Sequence, residues 1–459
     1  MIVRFIAHTF GVFVAGAAVL LAWSRPVPAQ IPSSSPALVY PEISYKRLLN
    51  DLQLVVASTP YLGESMTIGL VMRYGSAFDP ADKGGLAYLL SRMFLKATQD
   101  KTAKDIQDEM NYLGATIEVR CDWDSIRFIL RGQSSRFERS LLLLYQVVGE
   151  AVFNDADFAN VKEELVGRLE KPADPRQQMR TRFETALFQG TTYGRSLQGS
   201  RASLSNISIG DVRLFYRRYF SPHPAALVVV GSAPPPLVQQ KATRIWGVWV
   251  RRDEVPFTFL PPRPPSSRMM ALEDDPASPA AQFVLGNLWP RPDEPGFLSC
   301  IVAARILQER LTAALPTSLV TVGKDGRRLA SPFYVQGQAA ADQALAEIRK
   351  ILDSVEGFKN SGPGEEELAG AKSRMIEEFR KSLETTRDLC DVLMDTELYH
   401  LGTNYLASFP DLLSRNTPAS VKEAGKQWIF PGGVLIYVRG PAASLKSGLE
   451  SLGTLQPVQ

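Results

Sequence analysis

Few residues in this chain have the types and spacing for chemistry. Histidine occurs three times, at His8, His223 and His400, and cysteine three times, at Cys121, Cys300 and Cys390. His8 sits in an N-terminal apolar run, and two further isolated imidazoles cannot build a three-histidine zinc site. His223 lies in the turn Ser221-Pro222-His223-Pro224, and His400 reads as the end of a helix, where a positive side chain suits the free carbonyls. The cysteines lie far apart with no Cys-x-x-Cys pair, which leaves room for one bridge at most and favours three buried thiols. There is no Gly-x-Ser-x-Gly, no phosphate-binding glycine loop and no basic aromatic stripe for nucleic acid. One stretch carries apolar residues at 86, 89, 90, 93 and 94 in helical spacing, with the polar set Tyr88, Ser91 and Arg92 among them. Two imidazoles one turn apart with a carboxylate between them would bind zinc and activate its water. A phenol that holds its proton to about pH 10 and a guanidinium that stays charged do neither.

The elements around this set follow from local signals. Leu52–Ala57 and Thr67–Tyr74 read as strands, and Gly84-Gly85 allows a sharp turn into the helix. Thr102 is an N-cap for a helix that ends at Leu113-Gly114, with Gly114 suited to a left-handed cap. Strands are expected over Thr116–Arg120 and Ser125–Leu130, then a long helix over Phe137–Val152. A closing unit recurs. Ile207–Gly231, a helix, Pro222 and the strand Ala226–Gly231, aligns without a gap on Asn416–Gly440 at an offset of 440 − 231 = 209. The repeat argues for an internal duplication, with the proline-rich segment between the copies as a stiff linker.

Gly85-Leu86-Ala87 and Met93-Phe94-Leu95-Lys96-Ala97-Thr98 frame the set, and this frame resembles the first active-site helix of the pitrilysin/insulinase family of zinc peptidases. There, His-x-x-Glu-His stands between the two pieces. Here Tyr88 and Arg92 hold the two histidine positions and Ser91 holds the general-base position. The resemblance runs over roughly residues 45 to 445. It implies an α+β fold of two homologous domains, each a mainly antiparallel sheet flanked by helices. It also implies a third ligand on a later helix, with Glu163, Glu164 and Glu170 as candidates whose alignment stays open, since one way of counting falls on Gly167. The family's substrate-positioning Arg and Tyr would fall near Pro316 and Val320-Thr321-Val322, where neither residue is kept. Substrates of the family lie along an edge strand, which corresponds here to Gly114, Ala115, Thr116, Ile117, Glu118, Val119 and Arg120.

Composition agrees with a two-domain globular protein. The chain has 459 residues, 45% hydrophobic and 22% charged, with a net charge of +3 that gives no reason to expect nucleic acid. Arg4, the apolar run Phe5–Trp23 and Val27-Pro28-Ala29 read as an export signal, with an uncleaved membrane anchor as the rival. The expected organisation is a signal peptide over 1–29, a flexible lead-in over 30–44, an N-terminal peptidase-like domain over 45–232 and a proline-rich linker over 233–268. A second such domain over 269–445 and a tail over 446–459 complete it.

The function implied is a non-catalytic homologue, exported to the periplasm or beyond, that binds no zinc itself. It would serve as inactive partner or scaffold for an active zinc-bearing subunit, or self-associate, and hold extended peptides. The alternative is a zinc-dependent endopeptidase with non-standard ligands.

Overall fold

The computed structural model describes residues 40–171, 174–316 and 320–456. The expected signal peptide and the lead-in up to residue 39 lie outside these. Two six-stranded sheets organise the chain. The first contains β1 (Glu42–Arg47), β2 (Gln53–Ser58), β3 (Ser65–Met72), β4 (Thr116–Cys121), β5 (Ile126–Gln133) and β6 (Ala226–Gly231), in the spatial order β1-β2-β6-β3-β5-β4. The second contains β7 (Arg268–Asp274), β8 (Ala280–Trp289), β9 (Thr321–Lys324), β10 (Ser331–Ala340), β11 (Val434–Gly440) and β12 (Thr454–Gln456), in the order β12-β7-β11-β8-β10-β9. The two orders match over five positions, and they differ at one outer strand, which comes first in the first unit (β1) and last in the second (β12). In the first sheet only β2–β6 is parallel, and in the second only β11–β7 and β12–β7 are, so both are mixed and mainly antiparallel. The sequence repeat is the end of each unit. The helix Ile209–Tyr219 with β6 recurs as the helix Pro418–Trp428 with β11, and 418 − 209 = 209 is the offset of the repeat.

The central strands read as almost unbroken apolar runs because both faces of each sheet are covered. Leu54, Val56, Leu70 and Phe128 face the helices of their own domain, whereas Val55, Val71, Ile129 and Val228 belong to the second core. What covers that second face is the helix Thr386–Leu398, which comes from the other half of the chain and packs on β3 and β6. The exchange is reciprocal. The helix Pro175–Leu187 of the first half packs on β8 and β11, seating Met179, Phe183 and Leu187 against Val284, Tyr334 and Tyr437. Glycine marks both crossings, where the backbone must approach a side chain closely. A Cβ on Gly69 in β3 would lie 2.6 Å from the Cys390 sulfur, and one on Gly286 in β8 would lie 2.3 Å from the Phe183 ring.

Two expected boundaries are corrected. The segment 233–268 is not linker throughout, because Pro235–Trp246 is a helix packed on the first domain. Pro235 and Pro236 occupy its first turn, where a missing amide costs nothing. After it, residues 250–265 carry no regular element, and there Phe257 and Phe259 pack on Phe78. The tail 446–459 is likewise part of the second domain, since the helix Ala442–Glu450 leads into β12, which completes the sheet.

Candidate functional site

The helix expected to carry the chemistry is Leu86–Met93, and its start is tightly built. Gly85 takes φ = 92°, and a Cβ there would lie 2.7 Å from the Gln198 carbonyl, so only glycine fits. Asp79 caps the helix from outside, its two oxygens accepting the amides of Gly85 at 2.8 Å and Ala87 at 2.9 Å. Burial pushes the Asp79 carboxyl up to about 7 against the pull of those amides. Leu86, Leu89, Leu90 and Met93 fill the core below. Tyr88 is half-buried and Arg92 exposed. Ser91 is buried, and its hydroxyl donates to the Tyr88 carbonyl at 2.6 Å.

The helix Asp155–Leu169 packs against this one, bringing the segment expected to hold a third ligand alongside the frame. Glu163, Glu164 and Glu170 are all exposed there, with Glu164 paired to Arg168 and Glu170 paired to Arg201. Gly167 faces open space, where a Cβ would meet nothing within 4 Å. Among the described residues, no three His, Cys, Asp or Glu side chains stand close enough to hold a metal ion.

β4 lies beside the motif helix and ends the first sheet, with β5 as its one strand neighbour among the described residues. Gly114 ends the preceding helix at φ = 58°, Ala115 is buried, and Thr116 to Arg120 form the strand itself. Its register fixes which groups are free. The hairpin closes with the Asp122 amide donating to the Ser125 carbonyl, so Asp122 points toward β5. Alternation along an antiparallel ladder then turns Arg120, Glu118 and Thr116 inward and sends the N–H and C=O of Ile117, Val119 and Cys121 outward. The side chains divide the other way: Ile117, Val119 and Cys121 pack on the first core, while Glu118 and Arg120 meet Arg387 and Asp391 on the exchanged helix.

At the Arg120 end of β4 a polar cavity of about 70 Å³ opens between the two domains, lined among others by Asp122, Trp123, Arg127, Arg327 and Asp391. Its walls are reciprocal ion pairs. Arg127 of β5 donates to Asp395 at 2.6 Å, and Arg327, on the segment before β10, donates to Glu184. Asp395 and Glu184 hold equivalent places on the two exchanged helices, since 395 − 386 = 184 − 175 = 9. Arg327 also stacks over Trp123, its guanidinium carbon 4.1 Å from the ring centre. Beside it Asp124 accepts from the Tyr193 hydroxyl at 2.5 Å and from the Arg328 amide at 2.9 Å. Burial and the neighbouring Asp122 push the Asp124 carboxyl up to about 6.

Sequence counting placed the Arg and Tyr of the second domain near Pro316 and residues 320–322 and found them missing. The structure brings together a different pair at this interface, Arg327 and, at 334 − 327 = 7 residues further on, Tyr334, whose hydroxyl accepts from Arg180 at 3.2 Å. The signal that could have found them is the apolar run Phe333-Tyr334-Val335 within β10, which anchors the count from the C-terminal side.

Comparison with known proteins fits this architecture. A model described as insulinase (peptidase family M16) matches residues 55–201, and one described as peptidase M16 inactive domain matches residues 206–375. The zinc protease PqqE of Helicobacter pylori is 20% identical over 80% of this chain and 86% of its own length. An uncharacterised zinc protease of Rickettsia felis is 20% identical over 44% of this chain, and the match spans about half of that protein, 48%. Subunit 1 of the bovine mitochondrial cytochrome b-c1 complex is 24% identical over 55% of this chain and 53% of its length. Among solved structures, a protease from Helicobacter pylori superposes with a TM-score of 0.81 at 16% identity, covering 88% of this chain and all of that one, 100%. A peptidase M16 inactive domain from Pseudomonas fluorescens superposes at 0.79 and 19% identity, covering 87% and 98%. The two family models follow one another along the chain and together match more than half of it, and the chain belongs to the insulinase family of M16 peptidases.

Proposed function

We propose that this chain is a non-catalytic member of its family that holds extended peptide on β4 as the inactive partner of an active, zinc-bearing subunit. The observation that carries the reading is the chemistry of the motif helix. The two ligand positions hold a phenol and an exposed guanidinium, and the base position holds a serine whose hydroxyl is spent on a backbone carbonyl. This donor set does not fit zinc, and no step of catalysis can be routed through it. What remains usable is geometric. The outward amides and carbonyls of Ile117, Val119 and Cys121 can pair with any extended chain, whatever its sequence, by adding a strand to the sheet. The similarity to a subunit of the cytochrome b-c1 complex supports a role inside an assembly, and the partner is a chain of the same fold with His-x-x-Glu-His intact or a second copy. The likeness to the periplasmic protease PqqL of Escherichia coli (TM-score 0.76) and the N-terminal apolar segment support work in the periplasm. Among the described residues no helix is long and apolar enough to cross a membrane.

Amide exchange on the mature chain, with and without an unstructured decapeptide, tests the reading. Protection gathered at residues 116–121 is expected, and its absence at peptide concentrations up to about millimolar would overturn peptide holding.

A further inference from the structure

Asp391 is buried at 1% exposure in the lining of the interdomain cavity, yet neither of its carboxylate oxygens accepts a hydrogen bond. Its charged neighbours stand off, Arg120 at 3.5 Å and Arg387 at 3.6 Å, because both guanidinium groups are held by Glu118 instead. A buried carboxylate without a donor is costly, and it persists where something else supplies the donor. The same lining offers the complement: Nη1 of Arg327, buried, has no acceptor. An acceptor and a donor thus wait in one cavity.

We propose that this cavity receives an ammonium group of the peptide held on β4, with Asp391 as its acceptor and Arg327 donating to the carbonyl beside it. An amine followed by a carbonyl describes the first residue of a peptide, and the position agrees. Arg120 is the penultimate residue of β4 and also a neighbour of Asp391, so a strand added at the edge of β4 ends at the mouth of the cavity. A lysine side chain carries the same ammonium group without the adjoining carbonyl and would satisfy Asp391 alone. The inference rests on peptide holding at β4 and adds a subsite to it.

The test uses four fluorescently labelled decapeptides of one Ser/Thr/Ala sequence: free amine, N-acetylated, N-acetylated with one lysine, and N-acetylated with norleucine in the place of that lysine. The label is at the C-terminus, and each peptide is titrated against wild type and Asp391→Asn. The free-amine peptide is expected to bind wild type about tenfold more tightly than the acetylated one, a difference of about 1.4 kcal/mol. Asp391→Asn keeps the shape and should bring the free-amine peptide to the acetylated affinity while leaving the acetylated peptide unchanged. Rescue by the lysine peptide over its norleucine control would assign the ammonium to a side chain. Rescue by the free terminus alone would assign it to the N-terminus. If all four bind wild type equally while protection at residues 116–121 persists, the ammonium site is overturned and strand addition stands. If none protects the strand, strand addition fails and the subsite falls with it.

Discussion

Replacing Arg327 by alanine probes how the two halves are locked together. In the folded chain this guanidinium is 3% exposed, pairs with Glu184, itself 4% exposed, and lies on the face of Trp123. The substitution leaves Glu184 buried with Arg180 as its cationic neighbour among the described residues, at 3.4 Å. Breaking a buried pair by removing one partner costs about 3–5 kcal/mol, and losing the stacked cation adds about 1 kcal/mol. By contrast Arg201 pairs with Glu170 at the surface, both side chains more than half exposed, and Arg201→Ala should cost less than about 1 kcal/mol. Urea unfolding followed by tryptophan fluorescence reads both variants, since Trp123 sits under the lost cation. The pair Glu184→Gln and Arg327→Met completes a double-variant cycle, in which the double should be less damaged than the sum of the singles by about 2 kcal/mol. A cost for Arg327→Ala below about 1 kcal/mol, or strict additivity, would refute the lock.

Further outcomes follow from other contacts. Gly85→Ala must hold a side chain at φ = 92° against the Gln198 carbonyl, and should lower stability by about 2–4 kcal/mol in the same assay. Val119→Pro removes an outward amide and spares the ladder to β5, so it should weaken decapeptide binding severalfold at little cost in urea midpoint. Glu118→Pro, on the inward register, should destabilise the fold instead. Asp79 has a folded pKa of about 7, above its unfolded value of about 3.9, so the folded chain keeps a proton that the unfolded chain gives up. Its contribution is therefore full below about pH 4, is lost as pH rises toward 7, and is flat beyond. Wild type should lose stability relative to Asp79→Asn across that window, and equal pH profiles for the two would contradict the burial of this carboxyl.

The duplication was legible in the sequence because a helix of fixed length, a proline and a largely buried strand leave the same pattern twice, at the spacing the structure shows. The short elements around the motif were legible for similar reasons: Thr102 and Asp105 form a reciprocal cap, and Gly114 ends that helix in the left-handed region. Other features were not. Pro234-Pro235-Pro236 reads as an extended linker by composition, and only position decides that two of the prolines open a helix. Arg327 was missed because counting forward from the helix Phe297–Ala314 assumes a loop length that sequence does not carry. The exchange of helices between domains also leaves no periodic signature. Strands buried on both faces look alike whether the second face is covered from near or far in the chain, and the clue was the pair of central glycines, Gly69 and Gly286, under Cys390 and Phe183.

Zinc content of the purified mature chain, taken together with cleavage of an unstructured peptide in the presence and absence of chelator, bears on the motif helix itself. With Tyr88, Ser91 and Arg92 in the ligand and base positions, zinc well below one ion per chain and no chelator-sensitive cleavage are expected. One tightly held zinc per chain with cleavage that chelator abolishes would contradict a non-catalytic role.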